Sequence, residues 1–182
     1  MKIGIIAGST RQGRNSAGVA HWVAQGVAGR EGVESVPLDL ATFELPMFDA
    51  PMPPMMLNRK YESDAVKAWS QAVDDCDGFI FVLPEYNRSV PAVLKNAIDW
   101  LAPEWMDKTA ACVGYGSANG IRAVEHCRSI LTNFNMHVIR PQVALSIFTD
   151  ISDGAVVPSE RLQGDLKNMV DGLVAVIARR QA

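Results

Sequence analysis

The sequence predicts a three-layer α/β sandwich, a five-stranded parallel sheet of order 2-1-3-4-5 with helices on both faces. Three observations lead there. Short apolar runs alternate with longer segments of helical period along the whole chain. That alternation marks a parallel sheet covered on both sides. Polar loops of unusual composition follow the first, third and fourth runs, at the strand-to-helix connections where a doubly wound sheet gathers its ligand loops.

The elements follow in order. Residues 2–7 (KIGIIA) read as a buried strand ending in a Gly-containing turn. Asn15 or Ser16 can cap a helix running to about residue 28, with Val19, Val23 and Val27 on one face. Residues 34–38 form a shorter second strand. Residues 41–62 break the pattern: Pro46, Pro51, Pro53 and Pro54 alternate with Met47, Phe48, Met52, Met55 and Met56. Proline blocks regular structure there, yet the segment is too apolar for a linker, so it reads as an ordered cover or interface element. A helix over 64–75 places Ala65, Trp69, Ala72, Val73 and Cys76 on its apolar stripe. Residues 78–83 (GFIFVL) give the third strand. The helix over 90–101 has two apolar stripes, Leu94, Ala97, Ile98 and Leu101 on one and Val93, Ala97 and Trp100 on the other, so it packs on something besides its own sheet. Residues 109–115 form a fourth strand, 121–134 a helix with Val124, Cys127, Leu131 and Phe134 inward, and 138–145 a fifth strand interrupted by Pro141. The last helix, 159–179, carries Leu162, Leu166, Met169, Val170, Leu173 and Ile177.

The bulk numbers narrow the function classes. A chain of 182 residues fits one domain, and 48% hydrophobic content supplies a substantial core. A net charge of -3 gives no electrostatic reason to expect a nucleic-acid partner. Cys76, Cys112 and Cys127 are odd in number and lack metal-ligand spacing, so they read as small core residues in a reducing compartment. The N-terminal MKIGIIAGST is interrupted too early for a signal peptide, and no apolar run approaches the roughly 20 residues of a membrane span. The expected location is the cytoplasm, without membrane insertion.

Three loops carry chemistry. The first, Gly8-Ser9-Thr10-Arg11-Gln12-Gly13-Arg14-Asn15-Ser16, offers hydroxyls, backbone N–H groups, a helix N-terminus and two guanidiniums, all suited to a phosphate. It matches neither the lysine-bearing loop of nucleotide triphosphatases nor G-x-G-x-x-G. The bland alternative is a polar turn with an N-cap. In the second, Pro84-Glu85-Tyr86-Asn87-Arg88-Ser89, Asn87 tolerates a left-handed backbone, while Glu85 and Tyr86 supply a polar edge and an aromatic face for a flat heterocycle. In the third, Gly114-Tyr115-Gly116-Ser117-Ala118-Asn119-Gly120, the glycines admit close approach of a ligand. Its alternative is a plain turn in which Ser117 or Asn119 caps the next helix.

At these residues the chain resembles a known family. G-S-T-R-x-G-R-x-S, L-P-E-Y-N-x-S-x-P-A-x-L-K-N-A-I-D-W and G-Y-G-x-x-x-G-x-R-A-V-E are similar to the NADPH-dependent FMN reductases, which include quinone, azo-dye and chromate reductases of flavodoxin-like fold. The resemblance spans essentially the whole chain. It implies FMN as cofactor and NADPH or NADH as co-substrate. Ser9, Arg11 and Ser16 would hold the phosphate, with Arg14 and Asn15 in the same loop. Pro84, Glu85, Tyr86 and Asn87 would border the isoalloxazine, and Gly116 and Ser117 would approach it from the other side. Ser117 and Asn119 stand where relatives often carry glycine, which would narrow the crevice or add hydrogen bonds. The implied reaction is ping-pong hydride transfer from NAD(P)H through FMN to a small acceptor: a quinone, azo compound, flavin or metal oxyanion. The flavin carries that chemistry, so no catalytic side chain and no metal is required. Arg14 and Arg88 are candidates for the NADPH phosphates, or solvated surface arginines.

The alternatives are a non-enzymatic flavodoxin-like electron carrier, a Rossmann dinucleotide binder and a phosphoacceptor receiver domain. The first would want a strongly acidic docking face, absent from this nearly balanced chain. The second wants G-x-G-x-x-G before an acidic residue such as Asp39, which here reads as a local backbone cap. The third wants an acidic cluster after strand one. His21, His126 and His137 have no ligand spacing. Trp22 and Trp69 read as core or interface, and Trp100 and Trp105, near the doubly apolar helix, as interface. That helix and the resemblance together imply a homodimer or homotetramer.

Overall fold

The structure, a computed structural model, describes residues 1–181. Five parallel strands, β1 (Lys2–Ala7), β2 (Glu34–Asp39), β3 (Gly78–Pro84), β4 (Thr109–Gly116) and β5 (His137–Ser146), form one sheet in the order β2-β1-β3-β4-β5. This is the predicted order. The helices are α1 (Ser16–Val27), α2 (Leu40–Phe43), α3 (Pro54–Leu57), α4 (Asp64–Asp74), α5 (Ala92–Asp99), α6 (Ile121–Thr132) and α7 (Glu160–Gln181). β3 and β4 are buried at every position, because both of their faces are covered. Side chains alternate between the two cores: Phe79, Phe81 and Leu83 point toward α4, α5 and α6, whereas Ile80 and Val82 point toward α1 and α7.

The valine stripe of α1 and the six-residue apolar stripe of α7 are buried as predicted. α4 differs. Val66, Trp69, Ser70 and Val73 are buried, while Ala65 and Ala72 are only partly so. The stripe lies rotated toward Val66 because the larger side chain claims the space against the sheet. β5 continues through Pro141 with a register shift opposite Ala110 and Cys112.

The second apolar side of α5 is covered by the chain's own proline-rich segment. Asn96 Nδ2 and Trp100 Nε1 both donate to the Pro46 carbonyl, at 2.8 and 2.7 Å, and Phe48 N donates to Asn96 Oδ1 at 2.8 Å. The Phe48 ring meets Trp100 edge-on at 5.1 Å. The interface expected at Trp100 and Trp105 is therefore corrected: both are buried within the chain. Trp105 has 0% exposure and packs among Trp69, Phe79 and Phe81. Met47, Met52, Met55 and Met56 remain exposed.

A small hairpin, β6 (Ile151–Ser152) and β7 (Ala155–Val156), follows β5 and had no counterpart in the expectation. It turns at Asp153 and Gly154, both with positive φ, and rests on the first turns of α1. A Cβ at Gly18 would lie 1.9 Å from the Gly154 carbonyl oxygen, so only glycine permits this approach.

All three cysteines are free and buried. Burial pushes the Cys76 thiol up to about 11, and a hydrogen bond to Cys112, then burial, raises that of Cys127. Iodoacetamide near neutral pH should therefore label none of them in the native protein and all three after unfolding. Rapid native labelling of Cys127, read by peptide mass, would contradict this burial. Among the described residues no helix is long and apolar enough to cross a membrane.

Candidate functional site

Parallel pairing brings the carboxyl ends of β1, β3 and β4 to one edge, and the three loops named above meet there. Gly8 starts the first. Its N–H donates to the Val82 carbonyl at 2.8 Å, and a Cβ would approach that same oxygen to 2.9 Å. Ser9 and Ser16 are fully buried. Ser16 Oγ donates to the Ser9 carbonyl at 3.3 Å, and Arg11 N donates to Ser9 Oγ at 3.3 Å, closing the loop on itself.

The start of α1 is unusual. Asn15 occupies the cap position but is itself helical, with φ −82° and ψ −13°, and its side chain makes no cap bond. Ser16 spends its hydroxyl on Ser9 instead. A helix presents N–H groups without intrahelical partners in its first turn, and a strong cap residue that does not cap leaves them facing the loop. With the exposed Arg11 beside them, the arrangement suits an anion. Arg14 is engaged elsewhere: Nη2 donates to Asp39 Oδ2 at 2.7 Å. Asp39 also accepts from Ala41 N at 3.0 Å, the local backbone cap expected of it, here at the start of the short helix α2 that the sequence did not announce.

The second loop is a tight hairpin. Tyr86 and Ser89 exchange two backbone hydrogen bonds, with Asn87 and Arg88 at φ 47° and 70°. Two successive positive φ values make a type I′ turn, which Asn tolerates. The Tyr86 hydroxyl reaches the first loop: it shares a hydrogen bond with Ser9 Oγ at 2.9 Å and accepts from Arg11 Nε at 3.4 Å. Glu85 turns toward α6. One carboxylate oxygen accepts from the Arg122 guanidinium, and Oε2 accepts from Arg122 N at 3.1 Å. Neither Ser117 nor Asn119 caps this helix; Gly120 is its cap residue and the Glu85 carboxylate serves its first turn from the neighbouring loop.

In the third loop Asn119 and Gly120 take positive φ. A Cβ on Gly116 would sit 3.3 Å from Glu85 Cβ, so the second and third loops are in close contact there. Ser117 is exposed at the rim. The edge thus unites Ser9, Arg11, Asn15, Ser16, Pro84, Glu85, Tyr86, Asn87, Gly116 and Ser117, while Arg14 points to Asp39 and Arg88 to solvent. Arg122 and Tyr115 fall within the third motif, but the sequence reading gives neither a role in the site. Tyr115 reads as the end of the fourth strand and part of the third loop; its phenol lies near Ser16, Tyr86 and Arg11, and burial raises its pKa well above the ordinary tyrosine value.

The profile of the NADPH-dependent FMN reductases matches residues 1–150. The chain belongs to this family. Within it, an NAD(P)H-dependent FMN reductase of Nectria sp is 34% identical over 166 residues, covering 85% of this chain and 83% of its own. One from Schizosaccharomyces pombe is 34% identical over 159 residues, covering 87% and 80%. A 2-hydroxy-1,4-benzoquinone reductase of Burkholderia sp is 29% identical over 195 aligned positions, covering 100% and 98%. Among solved structures, the flavoenzyme NAD(P)H:(acceptor) oxidoreductase of Paracoccus denitrificans superposes with a TM-score of 0.78 at 23% identity, covering 98% and 97%. An archaeal flavodoxin superposes at 0.61 with 10% identity, a likeness of fold alone. The fold of this FMN reductase family member is thus flavodoxin-like.

Proposed function

We propose that this chain is an FMN-dependent NAD(P)H oxidoreductase that reduces a small acceptor, with quinones as the favoured class. The reading is carried by the uncapped start of α1, closed over by buried Ser9 and Ser16 and bordered by Arg11, at the same sheet edge as the Tyr86–Ser89 hairpin. An anionic tail and a flat ring system fit these two features together, and FMN has both. When bound, FMN supplies the two-electron hydride chemistry.

The protein's residues bind and orient. Ser9, Ser16, Arg11 and the first-turn N–H groups would hold the phosphate, and the Arg14–Asp39 pair anchors the loop that carries them. The Tyr86 hydroxyl ties the ring-bordering hairpin to the phosphate loop. Pro84–Asn87 would border the ring on one side, and Gly116 and Ser117 would approach it on the other. Arg122 and the start of α6 neutralise the Glu85 carboxylate close to that site. Quinones are favoured because the Burkholderia relative carries a benzoquinone reductase name. The exposed methionines of residues 47–56 supply the contact face of a homo-oligomer. Three free thiols suit the cytoplasm.

The test is an anaerobic spectrum. Purified protein should show bound-flavin absorbance that bleaches with NADPH and returns when a benzoquinone is added. A bound flavin that NADPH leaves unbleached would overturn the reductase reading, and absence of any flavin binding would overturn the site.

A further inference from the structure

The α1/α7 core contains one polar atom that the protein does not satisfy. Tyr115 projects from β4 into that core and is 4% exposed. No group among the described residues stands in good hydrogen-bond geometry to its hydroxyl, although the Ser16 hydroxyl is close enough to act on it. The Ser16 hydroxyl acts on it as a hydrogen-bonding neighbour, yet its proton is directed at the Ser9 carbonyl at 3.3 Å, and the Tyr86 hydroxyl is shared with Ser9 Oγ and Arg11. A buried hydroxyl without a partner carries the full desolvation penalty of the group. Phenylalanine would fill the same volume without it, so the hydroxyl needs a reason.

Its surroundings supply one. Ser16 lies beside it, and the charges acting on it are those of Tyr86, Arg11 and Arg14. It therefore sits under the loop whose helix start lacks a side-chain cap. Burial keeps the phenol protonated, so it is a donor.

We propose that Tyr115 is a phosphate-positioning residue, its buried hydroxyl placed beneath the start of α1 to donate to the anionic end of the bound cofactor. This rests on the FMN reading of the site and extends it to a residue outside the three sequence motifs' binding positions. The hydroxyl makes binding selective for the phosphorylated flavin, because riboflavin has no acceptor to offer at that place.

The experiment compares flavin binding to flavin-stripped wild-type protein and to Tyr115→Phe by fluorescence quenching, with FMN and with riboflavin. The expected result is an FMN Kd raised about tenfold in the variant, the size of one lost hydrogen bond to a charged group, with the riboflavin Kd unchanged. Equal changes for both flavins, or no change for FMN, would overturn the proposal. The melting temperature of the flavin-free variant is an independent readout: it should equal or exceed that of the wild type, whereas a fall of several degrees would show that the hydroxyl is bonded within the protein and overturn the proposal. If wild-type protein binds neither flavin, the FMN reading itself fails, a result distinct from loss of the Tyr115 effect.

Discussion

Gly120→Ala should both destabilise the protein and abolish flavin binding. The residue sits at φ +71°, and its new Cβ would lie 2.3 Å from Tyr115 N and 2.7 Å from the Gly114 carbonyl carbon. These are backbone atoms of a central strand and cannot move cheaply. A left-handed alanine costs about 1–2 kcal/mol, and overpacking adds about 1–3 kcal/mol, so the loss in denaturant unfolding should reach about 2–5 kcal/mol. Gly13→Ala is the control. It has φ +65° with nothing within 4 Å of the new Cβ, so only the backbone strain applies. Equal losses for the two variants would show that the close approach at Gly120 does not exist. Binding suffers because Gly120 is the cap residue of α6, the helix whose first turn holds Glu85.

Trp105→Ala tests where the tryptophans belong. Trp105 is fully buried, donates from Nε1 to the Ile98 carbonyl at 3.2 Å, and meets three aromatic rings. Truncation of such a side chain costs about 3–5 kcal/mol. In a domain of this size that lowers the melting temperature by roughly 6–20 °C. The oligomeric state, read by light scattering, should not change. A melting temperature within 2 °C of wild type combined with dissociation would return Trp105 to an interface.

Much of this molecule was legible in the residues. Val19, Val23 and Val27 recur at helical spacing, and the α7 stripe holds its register over the whole helix, so those core faces follow from period alone. α4 was misjudged by one position because Ala65 and Val66 compete for the stripe and size decides between them. The β6–β7 hairpin was missed although Asp153-Gly154 is a turn signal, because strands of two residues leave no alternation to read. In the site, Ser9, Ser16 and Asn87 carry local signals: hydroxyls before a helix, and an asparagine suited to positive φ. Glu85 and Arg122 lie 37 residues apart, and no local pattern announces their pairing. The same holds for Tyr115, whose importance lies in what its hydroxyl lacks, visible only once the sheet has brought it under the first loop. Trp100 and Trp105 misled because a doubly apolar helix implies a second covering layer without saying whether that layer is the same chain.

The family profile ends at residue 150, but one core layer does not. α7 begins at Glu160 and lays Leu162, Leu166, Met169, Val170, Leu173 and Ile177 against β4, β5 and α1. α1, by contrast, leaves the ribosome well before α7. Until α7 emerges, that face of β1, β3 and β4 has only part of its cover, and apolar strands stand in water beside a half-built phosphate loop. The contacts that complete the layer are also among the longest in sequence, which slows their closure. The chain can pair its central strands before α7 is made, so the layer behind the first loop is completed by a helix outside the family profile, after the site's own motifs have been made.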